Sequence, residues 1–240
     1  MIKLSFSNAA LKHVALATML LDHIGFAFFP DMIVLRIIGR SSFVIFCFLL
    51  AEGTIHTCSR IRYFFRLLTF AFVSFIPYSL FTSNVCFCTW QLNVFFELAF
   101  SVIMITLFDN VNDVKFSVPL QLLILTVFVF IGILLHFDYI FVGFVLIASF
   151  YLFRFNKVLQ CSVFLITTLF FIPLFYHYVN KQNWLISMAF GIFEFCGFVA
   201  FVFILNYDGN RGLQLPKWFY YSFYPLHLFI IWITKTYVIC

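Results

Sequence analysis

The stretch VPLQLLILTVFVFIGILL, residues 118–135, holds no charged side chain, and its polar members are only Gln121 and Thr126. At about 1.5 Å of rise per residue, a helix of this length covers close to the roughly 30 Å of a bilayer's hydrocarbon core. Pro119 stands near its start, where the first helical turn has no backbone hydrogen bond to lose. The stretch therefore reads as a transmembrane helix. Working outward, similar apolar runs fill the chain almost from end to end.

Of the 240 residues, 65% are hydrophobic, 23% aromatic and 10% charged. Soluble domains carry about 25% charged residues, so this composition cannot cover a water-facing surface. Forty phenylalanines are tolerable in lipid, where they fill the space between helices. The expectation is an all-α fold, a polytopic transmembrane helical bundle of about nine spanning helices. It forms a single domain over residues 1–240. The first apolar run has no small-residue cleavage site after it, so it reads as a retained helix and not as a removed signal peptide.

Charges and Pro/Gly interruptions place the helices at about Asn8–Phe29, Met32–His56, Tyr63–Phe81, Trp90–Phe108, Pro119–Leu135, Tyr139–Phe153, Val158–Tyr176, Trp184–Leu205 and Trp218–Val238. With nine spans, Lys3, Lys12, Arg60, Arg62, Arg66, Lys115, Arg154, Lys157, Arg211 and Lys217 fall on one side. Only Lys181 and Lys235 fall on the other. The positive-inside rule then makes the N-terminus cytoplasmic and the C-terminus external. The net charge of +5 is a topology signal and not a nucleic-acid signal. No internal repeat of the transporter kind is visible.

Seven cysteines, at 47, 58, 86, 88, 161, 196 and 240, lie mostly in apolar stretches and read as small apolar fillers. The Cys86-x-Cys88 pair lacks zinc-site spacing, so no metal is expected. No phosphate-binding Gly-Lys-Ser/Thr loop, dinucleotide turn or His-Glu-x-x-His pair is present.

Ionisable groups within lipid are costly and tend to mark function. Asp22 and His23 sit in the outer part of the first helix. Arg36 and Arg40 are four apart on the second, sharing a face, as are Glu52 and His56 further down. Glu97 and Glu194 fall near the middles of the fourth and eighth helices. Arg36 and Arg40 could simply pair with Asp22, Glu97 or Glu194 and hold the bundle together. His13 and His56 read equally as boundary residues. Asp22 cannot clamp the adjacent His23, so each needs its own partner. In the ninth helix, Pro225 breaks the hydrogen-bond ladder between Tyr224 and His227. The polar join at 206–217 carries Gly209 and Gly212, which allow turns that expose N–H groups, together with Arg211 and Lys217. With the following helix N-terminus it could hold a phosphate, or it could only set topology.

The run Leu11-Lys12-x-x-Ala15-x-x-x-Met19-Leu-Leu-Asp22-His23-Ile-Gly25 resembles the opening of the TraX family of membrane proteins. So do Leu35-Arg36-x-Ile-Gly39-Arg40, Phe46-x-Phe48-Leu-Leu-Ala-Glu52-Gly53-x-x-His56-Thr57 and Arg62-Tyr63-x-x-Arg66-Leu67. The resemblance resumes at Asn206-Tyr207-x-Gly209-x-Arg211-Gly212 and closes with Phe219-Tyr220-x-x-Phe223-Tyr224-Pro225-Leu226-His227-Leu228. Val44 departs from the proline expected after Arg40-x-x-Phe43. The resemblance implies an acetyltransferase of the bacterial cytoplasmic membrane. The family's named member is linked to N-terminal acetylation of a conjugative pilin, a substrate that belongs to one branch. In plan it is similar to membrane enzymes that carry acetyl from acetyl-CoA across a bilayer.

The expected reaction is acetyl transfer from acetyl-CoA to an amine or hydroxyl of a glycan, lipid or peptide acceptor. His23 is the expected base, with Asp22 or Glu52 setting its protonation and His56 as a further catalytic candidate. Arg36, Arg40, Tyr224 and His227 are the expected substrate-binding residues. Arg62, Arg66, Arg211 and Lys217 are expected to bind the phosphates of CoA. About 30 Å of bilayer separates His23 from the basic joins, so the pantetheine arm must reach inward or His56 and His227 must take part. A transporter or flippase, or a non-catalytic assembly factor, would use the same charges differently. Membrane lipid is an expected partner and nucleic acid is not, and self-association is left open.

Overall fold

A computed structural model describes residues 5–83 and 91–238 of the chain. Lys3, Cys86, Cys88, Trp90 and Cys240 lie outside the described residues.

The fold is an all-α polytopic bundle. In chain order its helices are α1 (Asn8–Phe28), α2 (Ile33–His56), α3 (Arg60–Ser83), α4 (Val94–Val111), α5 (Ser117–Leu134) and α6 (Val142–Leu152). Then follow α7 (Lys157–Tyr178), α8 (Trp184–Leu205) and α9 (Lys217–Val238). Among the described residues there is no strand, only the isolated bridges Phe6–Tyr207 and Leu92–Phe137. Among the described residues, seven helices are long and apolar enough to cross a membrane. The other two are α6, which is shorter, and α9, which is long but carries Lys217, His227 and Lys235.

Local chemistry sets where several helices begin. Ser7 caps α1 by accepting from the Ala10 amide, and three asparagines do the same elsewhere. Asn93 accepts from Phe95, Asn156 from Leu159 and Asn183 from Leu185, satisfying amides that have no partner inside their helices. The Asn93 cap shifts the start of α4 to Val94, so Glu97 lies in its first turn and not near its middle. At α3 the helix begins earlier than the apolar run, at Arg60. Arginine forms helix well and can lay its apolar stem along a helix while the guanidinium reaches polar surroundings.

Two units divide the chain. The first takes residues 1–49 and 153–220, and the second 50–152 and 221–240. Both α2 and α9 run from one unit into the other. In the first unit, α1 and α2 approach closely. A methyl group at Gly25 would stand 2.8 Å from the Leu35 Cβ. The α7–α8 hairpin contains two interruptions. A π turn spans Thr167–Phe171, and a 3-10 turn spans Cys196–Val199. Pro173 explains the first, because it has no N–H for the Leu169 carbonyl and its ring needs room there. The Ile172 N–H reaches back to the Thr167 carbonyl instead. Gly191 of α8 fits against this widened turn, and a Cβ there would lie 2.5 Å from the Thr168 carbonyl oxygen and 2.6 Å from Pro173 Cγ.

In the second unit α4 is the core helix, packed on α3, α5 and α6. Its Ala99, Met104, Ile105 and Phe108 are fully buried. By contrast α5 leaves Leu122, Leu123, Val127, Phe130 and Leu134 exposed, as a helix facing lipid does.

Gly191→Ala should lower the stability of the detergent-solubilised protein by about 1–3 kcal/mol through overpacking at the π turn. Thermal unfolding measures it. The control is Gly209→Ala, where the added methyl meets open space although its φ of 77° disfavours alanine. That change should cost less.

Candidate functional site

The polar residues of the first unit form two groups. In one, Asp22 of α1 faces α2, and its Oδ2 accepts from Arg36 Nη1 at 3.2 Å and from Arg40 Nη2 at 2.8 Å. Arg40 Nη1 also donates to Glu194 of α8 at 3.0 Å. Two cations and two carboxylates thus neutralise one another, with Asp22 only 5% exposed. The Phe193 ring lies 5.0 Å from the Arg40 guanidinium and adds a cation–π contact. Gly39 makes the approach possible. A Cβ there would collide with Asp22, 2.5 Å from Oδ1 and 2.6 Å from Cγ. Of the three partners the sequence left open, Asp22 and Glu194 receive the arginines, and Glu97 lies in the second unit. His23 is half-buried one position along from Asp22.

The other group is the 206–216 join, which docks on the start of α1. The Asn8 and Ala9 amides donate to the Asn210 and Arg211 carbonyls at 2.8 and 3.0 Å, so the join satisfies helix amides that would otherwise be bare. Lys12 donates to Gln214 at 2.8 Å and lies over the Tyr220 ring, whose hydroxyl is 3.3 Å from His13 Nε2. Gly209 and Gly212 take positive φ, as turns of this kind require, and Gly212 presses against Ser7. The amides expected to be exposed here are partly engaged: Asp208 N–H donates to the Phe6 carbonyl, Asn210 N–H to the Asp208 side chain and Leu215 N–H to Tyr220. Arg211 and Lys217 are exposed. Bonds from the Asn210 amide and the Ser5 hydroxyl hold the Asp208 carboxyl below the usual aspartate range.

The second unit gathers another set. Glu52 and His56, one helical turn apart at the end of α2, stand 3.1 Å apart, with the His56 side chain 72% exposed. Arg66 of α3 lies between two phenol rings, 5.1 Å from Tyr63 and 5.2 Å from Tyr221, and its Nε donates to the Tyr221 hydroxyl at 3.0 Å. Gly53 leaves space for Tyr63, since a Cβ there would sit 3.2 Å from the Tyr63 hydroxyl. Arg62 is exposed one turn before Arg66. Nearby on α3, Arg60 pairs with Asp109, which also accepts from Tyr151, and its Nε donates to the Thr54 carbonyl. Further along α9, Tyr224 and His227 are buried, and His227 Nδ1 lies 2.6 Å from the Phe223 carbonyl.

Sequence reading missed Tyr63, Tyr221 and Gly39. The first and last stand within quoted motifs, between or beside arginines, and that adjacency was the available signal. Tyr221 is told apart from Tyr220 only by the helical phase of α9.

These features define an integral membrane protein in which Asp22, Arg36, Arg40 and Glu194 pair with one another inside the first unit. The TraX protein family matches residues 7–235, and the chain belongs to that family. It is also similar to the probable fimbrial assembly protein FimC, serogroup H1, of Dichelobacter nodosus, with 24% identity over 249 residues and 98% of each chain covered. No solved structure matches.

Removing Asp22 leaves two guanidiniums short of their counter-charge. Asp22→Ala should destabilise the protein by about 3–5 kcal/mol, measured by denaturant unfolding in micelles. Asp208 gives a pH test. Its lowered value means that join docking adds stability above the ordinary aspartate range and loses it as pH falls through that lowered value. The melting difference between wild type and Asp208→Asn should therefore hold down to the ordinary aspartate range and shrink as the pH falls below about 4.

Proposed function

We propose that the chain is a membrane-embedded acyltransferase moving acetyl from acetyl-CoA to an amine or hydroxyl of an envelope acceptor that meets it at the α2–α3 end. The observation that carries this reading is the Glu52–His56 pair on the same unit as Arg66 in a member of the TraX family. If His56 donates through Nε2 to the Glu52 carboxylate, Nδ1 keeps a lone pair turned away from it, which is the tautomer a general base needs. His56 is also exposed enough to meet a substrate.

In the proposed reaction the acceptor's nitrogen or oxygen attacks the thioester carbonyl and a C–N or C–O bond forms. His56 takes the acceptor's proton, the C–S bond breaks, and the proton passes to the departing thiolate. Arg62 and Arg66 supply cations for the donor's phosphates on the same unit as His56, and Tyr63 and Tyr221 keep the Arg66 guanidinium oriented. The exposed Arg211 and Lys217 belong to the first unit and are a separate candidate set for the same anions. Tyr224 and His227 remain proposed contacts for the acceptor. Arg36 and Arg40 serve chiefly to neutralise Asp22 and Glu194. His23 remains the rival base. It lies about 15 residues into α1, roughly 22 Å from the start of that helix.

The test is transfer of labelled acetyl from acetyl-CoA by purified protein. His56→Ala should reduce it by about 10²- to 10⁴-fold and Glu52→Gln by a smaller factor, with folding unchanged. A loss of that size in His23→Ala, with His56→Ala active, would move the base to α1. Acetyl-CoA binding absent altogether would favour a transporter.

We further propose a bacterial cytoplasmic membrane with the N-terminus inside. Cys58, exposed between α2 and α3, then faces the cytoplasm. An impermeant maleimide should label the Cys58 peptide in inverted vesicles only. Labelling in right-side-out vesicles would reverse the topology.

A further inference from the structure

The join between α8 and α9 presents an edge that is both apolar and basic. It leaves α8 at Leu205, the end of a helix long and apolar enough to span, so it lies at a membrane face. Its chain is pinned on both sides of Leu213. The Arg211 carbonyl accepts from the Ala9 amide at 3.0 Å and from the Gln214 side chain at 2.6 Å. Gln214 also donates to Asn8 Oδ1 at 3.2 Å and accepts from Lys12 at 2.8 Å. Between these anchors Gly212, with φ of 65°, turns the chain against Ser7. The turn is thus held by α1 and sends Leu213 outward, 91% exposed, with Leu215 and Trp218 exposed just after it.

Positive charge flanks the same edge. Arg211 and Lys217 are exposed on either side of Leu213. Lys12, bonded to Gln214, and Lys157, whose Nζ donates to the Leu205 carbonyl at 2.7 Å, stand at the same end of the unit. The join's one carboxylate, Asp208, already accepts from the Ser5 hydroxyl and the Asn210 amide. All of these residues belong to the first unit.

An occupant must answer both features, the apolar side chains and the cations. Leaving leucine and tryptophan in water forgoes the free energy of burying them. A dissolved phosphate or nucleotide answers the charge and leaves Leu213 wet. A zwitterionic lipid covers Leu213, but its own cation works against Arg211 and Lys217. An anionic phospholipid answers both. Its acyl chains cover Leu213, and its phosphate meets Arg211 and Lys217, whose long stems let their charged heads reach headgroup level. Tryptophan rings such as Trp218 favour that same depth. We infer that the 211–218 edge is a docking surface for an anionic phospholipid. Arg211 and Lys217 then serve the lipid, and the acetyl donor's phosphates fall to Arg62 and Arg66. The surface itself does not depend on acetyl transfer.

The test uses the full chain in phosphatidylcholine nanodiscs doped with a trace of phosphatidylglycerol that carries a photoreactive group high on one acyl chain. A phosphatidylcholine probe with the same chains is the reference, and mass spectrometry reads the label on the peptide containing Leu213. The phosphatidylglycerol probe should label that peptide more heavily. Arg211→Gln and Lys217→Gln should each lower its label about fivefold, equivalent to about 1 kcal/mol for one basic side chain near a membrane surface. The phosphatidylcholine label should stay unchanged in both variants. Excess inorganic phosphate or acetyl-CoA should leave the phosphatidylglycerol label in place. The wild-type comparison of the two probes stands whether or not the variants fold. Equal labelling by the two probes, variants that lower both labels alike or neither, or displacement of phosphatidylglycerol by phosphate or acetyl-CoA would overturn the surface. The last result would give the edge to a dissolved anion.

Discussion

The first unit depends on one carboxylate oxygen. Asp22 Oδ2 receives both Arg36 and Arg40, and Arg40 carries the connection on to Glu194. In an apolar bundle this is a constraint more than an added strength, because an ionised group within lipid must find its counter-charge in the protein. The requirement fixes the relation of α1 to α2, and Gly39 meets it by leaving the volume that Asp22 occupies. The same network ties α8 to α2 through Glu194. The residues that looked most like chemistry are thereby chiefly occupied in neutralising one another.

That occupation is why the proposed chemistry is assigned to the second unit. The second unit carries Glu52 and His56, where an exposed imidazole can accept a proton, and Tyr63, Arg66 and Tyr221, where a guanidinium lies against two phenols. The proposed acyl transfer needs a base, an oriented cation and access from the polar side, and this end of the unit offers all three. The join at 206–216 does a different job in the first unit, closing the start of α1 with its own carbonyls. Its positive charges stay exposed while much of its backbone is engaged.

Much of the fold was legible in the sequence because lipid imposes a simple rule: about twenty apolar residues between polar joins. The nine expected helices correspond to α1–α9, although α6 is short. Other features were not legible. The π turn of α7 and the 3-10 turn of α8 lie in uniformly apolar stretches, and apolarity does not report which carbonyl an amide chooses. The apolar run begins before the Asn93 cap that starts α4, which makes Glu97 look central in the sequence. The i,i+4 spacing of Arg36 and Arg40 and of Glu52 and His56 gave shared faces. Which carboxylate each arginine would meet was a question of tertiary packing, and spacing within one helix does not contain it. Gly39 stood in plain view between the arginines, but its purpose appears only when Asp22 is seen against it.

The account rests on Asp22 and Arg40 being coupled and not merely adjacent. A double-mutant cycle with Asp22→Asn and Arg40→Gln, read by denaturant unfolding in micelles, measures this directly. The account predicts strong non-additivity, with the double variant more stable than the sum of the single losses allows by about 1–3 kcal/mol. Additive losses, within about 0.5 kcal/mol, would show that the pair does not hold the first unit together and would contradict the account.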